Sequence, residues 1–331
     1  MAITRRWQSG AETGHKNEFS NVVGGFVVTT ANKYTGAYSF KDPTSNDYGY
    51  QTIPATRQIR VGFFLYGNSS RAAVRFEIRD AGTNQLVGLF LSTSGAISLQ
   101  VLDATKDTKA GINVFEWHHF LVDVKIDNAA GWAKVYRDGI EVLSFAGNTG
   151  NADISDVKFG NGSFTGTYPC YWDDIYIDDT AGEGAAVAGP VLRFNYLTPN
   201  GNGNYSQWDG SDGNQVDNYL LVDEVPPSDA DYVETAVVDE FDSYAMTTRA
   251  LDVGEIFIAV IPVARVQRGD ITEEIALGTR YSGTDVVGSD QVPETPFNYL
   301  WERQTVKPGG GAWDQAAVDG VEALIKSRGS Y

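Results

Sequence analysis

Sulfur is nearly absent from this chain. Its 331 residues include one cysteine, Cys170, and two methionines, so no disulfide can close within it. Histidine is almost as scarce, three in all. Positive charge is outnumbered: 25 Lys and Arg face 43 Asp and Glu, for a formal charge of −18. Such a field repels nucleic acid and anionic lipid, so neither is an expected partner. No apolar run approaches the roughly 18 residues that span a bilayer. The opening "MAITRRWQSGAETG" lacks the apolar core of a signal peptide. The expectation is therefore synthesis in a cytoplasm, with release only by lysis or as part of a particle.

What is present is strand-forming. Aromatics make up 12% and glycines number 36, a composition of short strands joined by turns. From Phe26 to Asp179 runs such as "QIRVGFFLYG", "HHFLVDVKI" and "YWDDIYIDD" follow one another, each bounded by Gly, Asn, Asp or Ser. Alternation with turn signals about every ten residues indicates an antiparallel sandwich. "RDGIEV" places Asp138-Gly139 between two strands, a hairpin signature.

"DDTAGEGAAVAGP" is small and glycine-rich and is read as a boundary. The organisation expected is a sandwich over 1–180, a linker over 181–190 and a second β-rich domain over 191–331. In that second part "NGNGNYSQWDGSDGNQVDN" is read as a long loop and Ile256 to Val266 as a central strand. A helix is expected over 313–328. Asp314 would cap it, and Ala317, Val318, Val321, Leu324 and Ile325 would form its apolar face.

Few groups offer chemistry. His118 and His119 are adjacent, and strand alternation sends adjacent side chains to opposite faces, so the two cannot grip one metal ion. His118 is expected to pack inward with Phe120, Val122 and Val124. His119 would share the other face with Trp117, Leu121 and Asp123, where His119→Gln should matter little. No nucleophile elbow is present, and Cys170 is expected to be a packed thiol. "WDDIYIDD" supplies Asp173, Asp174 and Asp178, with Asp174 and Asp178 on one face. The readings are, in order, edge charge, a Ca²⁺ site and paired catalytic carboxylates. Trp132 and Tyr136 in the hairpin, and Tyr205 and Trp208 in the Asn/Gly loop, are candidate glycan- or partner-binding aromatics.

Taken in order, "FEWHHFLVDVKI", "GWAKVYRDGIEVLSFAG" and "YWDDIYIDD" resemble the laminin-G/concanavalin A-like family of jelly-roll sandwiches. That family mostly binds ligands, often glycans and sometimes with Ca²⁺, and includes some glycosidases. The E-x-D-x-x-E strand of its hydrolases is missing here. The second half, from "VLRFNYLTPNGNGNYSQWDG" to "WDQAAVDGVEALIKSRG", resembles virion structural proteins of tailed bacteriophages. The resemblance implies an all-β chain: a jelly-roll sandwich, then a β-rich domain ending in a short helix. It implies a non-enzymatic, exposed accessory component of capsid or tail, assembled in the host bacterial cytoplasm. Its partners would be other virion proteins, copies of itself and a host-surface glycan, with no cofactor beyond candidate Ca²⁺. The rival readings are a glycan-degrading hydrolase and a free-standing carbohydrate-binding module.

Overall fold

The computed structural model describes residues 4–44, 46–67, 73–92, 95–110, 115–160, 169–179, 192–269 and 274–329. Residues 181–190, the expected linker, lie outside the described residues. The chain forms two compact units, Met1–Asn195 and Tyr196–Tyr331. Both are built of antiparallel strands, and no described helix is long and apolar enough to cross a membrane.

In unit 1 the chain runs through β1 (Thr4–Ser9), β2 (Asn21–Val23), β3 (Val27–Thr29), β4 (Ser39–Asp42) and β5 (Tyr48–Thr56). It continues through β6 (Gln58–Gly67), β7 (Ala73–Arg79), β8 (Gln85–Leu91), β9 (Ile97–Val101) and β10 (Ala104–Lys109). It closes with β11 (His118–Lys125), β12 (Gly131–Arg137), β13 (Ile140–Gly147), β14 (Ile154–Gly160) and β15 (Cys170–Asp179). An eight-stranded sheet has the order β13-β12-β11-β6-β15-β4-β3, with β1 also on β15, and a seven-stranded sheet has the order β10-β9-β8-β7-β14-β5-β2. This is the antiparallel sandwich that alternation predicts, in the jelly-roll form that the resemblance implies.

The inner faces meet in one core of thirty-three buried residues. Phe63 of β6 stacks on Phe76 of β7 at 5.1 Å, and Trp172 of β15 meets the edge of Phe159 of β14 at 5.5 Å. Each such pair adds about 0.5–1.5 kcal/mol beyond area burial. The β12–β13 hairpin turns through Asp138 at φ 50° and Gly139 at φ 82°. Both are left-handed, as a two-residue I′ turn requires.

Unit 2 contains β16 (Pro199–Ser206), β17 (Asp209–Gly210), β18 (Val233–Glu234), β19 (Phe241–Met246) and β20 (Val263–Val266). Then come β21 (Glu274–Tyr281), β22 (Thr284–Val287), β23 (Asn298–Trp301), α1 (Gln315–Asp319) and β24 (Glu322–Arg328). Its main sheet has the order β16-β19-β24-β21-β22.

Three expectations need correction here. The helix over 313–328 is confined to α1, and residues 322–328 form the central strand. Asp314 does cap α1, its Oδ1 accepting from the Ala317 N–H at 2.9 Å. The helix ends at Gly320, and the backbone beyond it gains ladder partners on both sides, β19 and β21. Leu324 and Ile325 mimic a helical stripe because both faces of this strand are buried. Conversely, the run 256–266 is not a central strand. Val263–Val266 pairs in a two-stranded ribbon with β23, Val260 makes a single bridge to Gln304, and Ile256 is 77% exposed. Finally, the first part of the Asn/Gly loop is the edge strand β16, whose glycines let it lie close to β19: a Cβ at Gly203 would meet the Ser243 hydroxyl at 2.3 Å.

Candidate functional site

The outer face of the eight-stranded sheet is where unit 1 concentrates polar and aromatic groups. Alternation sends Ile59, Val61, Phe63 and Leu65 of β6 into the core, so Arg60, Gly62, Phe64 and Tyr66 face outward. Cross-strand register then builds rows.

One row is ionic. Lys134, Asp123, Arg60, Asp178 and Arg5 are successive Cα partners across β12, β11, β6, β15 and β1. Charges alternate along it. Arg60 Nη2 donates to Asp123 Oδ2 at 2.9 Å, and Arg5 Nε donates to Asp178. Arg60 is 4% and Asp123 1% exposed. Burial raises the Asp123 pKa, and Arg60 opposes the rise. The neighbouring row is filled by Tyr176, whose ring lies over Gly62; a Cβ there would stand 2.1 Å from it. Leu192 and Leu121 pack on the same ring, with Tyr136 and Phe194 against them.

A third feature is a knot of carboxyls. β15 pairs with β4 through Cys170–Trp172 and with β1 through Ile175–Asp179. Asp173 and Asp174 stand at the changeover, where the register shifts and Asp174 takes a φ of 47°. Asp173 Oδ2 accepts from the N–H groups of Tyr34 and Thr35 at 2.8 and 3.2 Å. Asp174 accepts from the Thr35 hydroxyl and from the Phe194 N–H at 2.8 Å. Glu12 accepts from the N–H groups of Ala37 and Tyr38. Burial raises the pKa of all three carboxyls; the Asp174 charge raises Asp173 further, and the Glu12 charge raises Asp174. The knot fixes the 34–38 loop, and through it lays the Tyr34 ring on Phe64, centroids 3.6 Å apart.

The candidate residues therefore fare differently. Asp173, Asp174 and Asp178 do not converge on one point: two hold loop amides and the third pairs with Arg5. The bulge between Asp173 and Tyr176 breaks the alternation that would align Asp174 with Asp178. Among the described residues no group of three or more His, Cys, Asp or Glu is placed to hold a metal ion. Trp132 and Tyr136 are half-buried on the outer face, opposite Lys125 and Leu121. Trp208 is a core residue of unit 2, 7% exposed, its Nε1 donating to the Glu240 carbonyl at 3.3 Å. Tyr205 stacks on Phe241 at 5.0 Å and donates to Asp285 at 2.8 Å.

The two histidines do part company. His118 sits at the rim, half-buried, with Nδ1 2.8 Å from Asp138 Oδ2, rather than inside with Phe120. His119 is the buried one, 4% exposed beside the Phe64 ring, and desolvation lowers its pKa to about 4. The expectation that His119→Gln is harmless is therefore withdrawn: the outer face of this strand is covered.

Sequence reasoning missed three outer-face aromatics, Tyr34, Tyr66 and Tyr171, and placed Trp117 on that face without naming it as a candidate. Tyr66 and Tyr171 were findable, since alternation through "FFLYG" and "CYW" gives them the outward parity. Tyr34 was not, because only the carboxyl knot brings it there.

The chain matches no known family profile and no curated protein sequence. Among solved structures it is similar to a sialidase, with a TM-score of 0.36 and 14% identity over 44% of this chain and 15% of that one. The Caenorhabditis elegans galectin LEC-6 matches with a TM-score of 0.30 and 9% identity, over 41% of this chain and 94% of the galectin. Domain 4 of AbnA, an extracellular arabinanase from Geobacillus stearothermophilus solved with arabinotriose, gives 0.36 and 13%, over 54% and 94%.

Proposed function

We propose that this chain is a non-enzymatic structural component of a tailed-bacteriophage virion, an exposed accessory protein of capsid or tail. Unit 2 attaches it to the particle or to further copies, and unit 1 faces outward. The observation that carries the reading is the distribution of exposed apolar side chains. Of sixteen large hydrophobics exposed among the described residues, twelve lie in unit 2 and four in unit 1. Val253 is 108%, Ile256 77% and Val216 64% exposed. Apolar surface concentrated on one unit is what an assembly contact needs. The virion setting itself comes from the sequence resemblance. The use of the β15 carboxyls as ties and ion pairs favours this reading over the hydrolase, which needs two of them facing a substrate.

Co-sedimentation of the purified full chain with phage particles tests it. The chain should travel with particles or form defined oligomers, and Val253→Asp with Ile256→Asp should abolish that without unfolding it. A monomer that ignores particles would sink the proposal.

A further inference from the structure

The two-stranded ribbon of unit 2 has an open edge. The register of β20 with β23 extends back beyond Val263. Val260 exchanges both backbone bonds with Gln304 at 3.0 Å, and the Pro262 carbonyl accepts from the Glu302 N–H at 3.1 Å. Ala264 and Val266 oppose Leu300 and Asn298 in the same register. Bonded pairs fall on alternate residues of an antiparallel ladder, so the even-numbered residues over 260–266 turn their backbone groups toward β23. The N–H and C=O groups of Ala259, Ile261, Val263 and Arg265 therefore point the other way. Among the described residues none of these groups has a hydrogen-bond partner.

Three observations mark this edge as one open to pairing. Residues 256–264, "IFIAVIPVA", are mostly β-branched and carry no charge. Native edges are commonly blunted by lysine, or by a proline whose missing N–H faces solvent. Pro262 does the reverse. Its nitrogen lies on the β23 side, so it forfeits a bond inside the ribbon and leaves the outer row of donors complete. Finally, the side chains along the edge are open, with Ile258 41% and Val263 40% exposed besides Ile256. Ala264 and Val266 meanwhile hold the ribbon against Trp208 and Ile275. Two strands alone make a marginal sheet, and further strands stabilise it.

We propose that this edge is a contact between copies: the same edge of a second copy of this chain adds to it antiparallel, about a twofold axis at Val260. The order through the contact is β23-β20-β20-β23. The proposal rests on reading unit 2 as the half that carries assembly. Charge selects the second copy. Two chains of −18 repel each other, so a contact between them needs an edge that is neutral along its length and complementary at its ends. This edge is both. Glu255 stands at one end and Arg265 at the other, and pairing about Val260 sets Glu255 of each copy opposite Arg265 of the other. Each keeps its partner within its own chain, Arg249 for Glu255 at 3.2 Å and Asp229 for Arg265 at 2.6 Å. Their meeting therefore fixes register more than it adds affinity. The same register sets Ala259 opposite Ile261 and Phe257 opposite Val263, apolar on apolar. An isologous contact of this kind closes on two copies. A strongly charged partner finds no counter-charge along 256–264.

Sedimentation equilibrium of the full chain should show a monomer–dimer equilibrium with Kd about 1–10 µM, in keeping with a contact of modest area. Val263→Pro removes one outward donor per copy and so two bonds per dimer, and should weaken the dimer at least about tenfold. Pro262→Ala alters the β23 side alone and should leave the dimer unchanged. Val260→Cys tests the register. Non-bonded antiparallel partners stand about 4.5 Å apart at Cα, within disulfide reach, so oxidation should link two copies covalently. Cys170 is buried and offers no competing thiol. Thermal unfolding of each variant guards against misfolding. The proposal is overturned if the chain stays monomeric at about 100 µM, if Val263→Pro and Pro262→Ala change dimerisation alike, or if Val260→Cys forms no covalent dimer. A monomer that still travels with phage particles would sink this inference and leave the virion reading standing. A dimer linked through residue 260 that associates with no particle would uphold the pairing and count against the virion setting.

Discussion

The two units spend their apolar residues in opposite ways. Among the described residues, unit 1 gathers thirty-three buried residues into one core and leaves four large hydrophobics exposed. Among the described residues, unit 2 has two clusters of four buried residues, one around Trp208 and one around Trp313, and leaves twelve large hydrophobics exposed. A divided core has a smaller reserve, since each cluster depends on one or two large side chains. Unit 1 can instead bury polar groups on its outer face, because its stability is secured inside. The difference teaches where each unit is sensitive: unit 2 to loss of single aromatics, unit 1 to loss of charge partners.

The sharpest way to break this comparison is Trp208→Ala. It removes the largest of the four buried side chains of its cluster and should cost about 3–5 kcal/mol, read as lost hydrogen-exchange protection across β19, β21 and β24. If protection there is unchanged, unit 2 is not organised around its two buried tryptophans. Next, Asp123→Ala leaves Arg60 buried beside a missing partner and should cost about 3 kcal/mol in urea unfolding of unit 1. A near-neutral result would mean the ionic row is solvated. His119→Gln comes third. It places an amide where an imidazole is enclosed against Phe64 and should cost about 1–3 kcal/mol; wild-type stability would return this position to the surface class.

The pH dependence of unit 1 is smaller but its sign is fixed. Glu18, holding the Ser9 and Thr13 hydroxyls, is pushed up by burial to about 7, and Glu12, Asp173 and Asp174 are raised for the same reason. Folded, these groups hold protons that the unfolded chain has released, so stability falls as pH rises from the ordinary carboxylate range through about 7. His119 works oppositely: with its pKa lowered from 6.5 to about 4, its contribution is lost as pH falls through that interval. Four carboxyls outweigh one imidazole. The melting temperature of unit 1 should be higher near about pH 6 than near about pH 8, and Glu18→Gln should flatten the slope. A rise toward alkaline pH would contradict the carboxyl knot. The smallest effect belongs to Trp132→Ala. This half-buried outer-face ring should change stability by about 1 kcal/mol or less, read by urea unfolding of unit 1.

Much of unit 1 could be read from its residues. Period-two alternation, the Asp138-Gly139 turn and the separation of His118 from His119 all follow from strand geometry. Unit 2 was harder, for a physical reason. Ala317, Val318, Val321, Leu324 and Ile325 fit a helical stripe, but the same spacing arises when a short helix runs into a strand buried on both faces. Local periodicity cannot separate the two, because the choice is made by distant partners in β19 and β21. The segment 256–266 has the β-branched composition of an inner strand, yet nothing in that composition says that a neighbour will be there to cover it.

The sequence alone determined that the chain is strand-rich, acidic, without internal disulfides, and able to alternate side chains between two faces, since these follow from composition and from the geometry of an extended backbone. Tertiary structure decided what the faces mean. Only the pairing of β15 with β4 on one stretch and β1 on the next turns Asp173 and Asp174 from candidate reactive acids into ties for a loop. Only that loop brings Tyr34 to within reach of Trp117. Contacts between residues 139 positions apart, such as Tyr34 with Asp173, depend on closing the whole sandwich, and no local pattern encodes them.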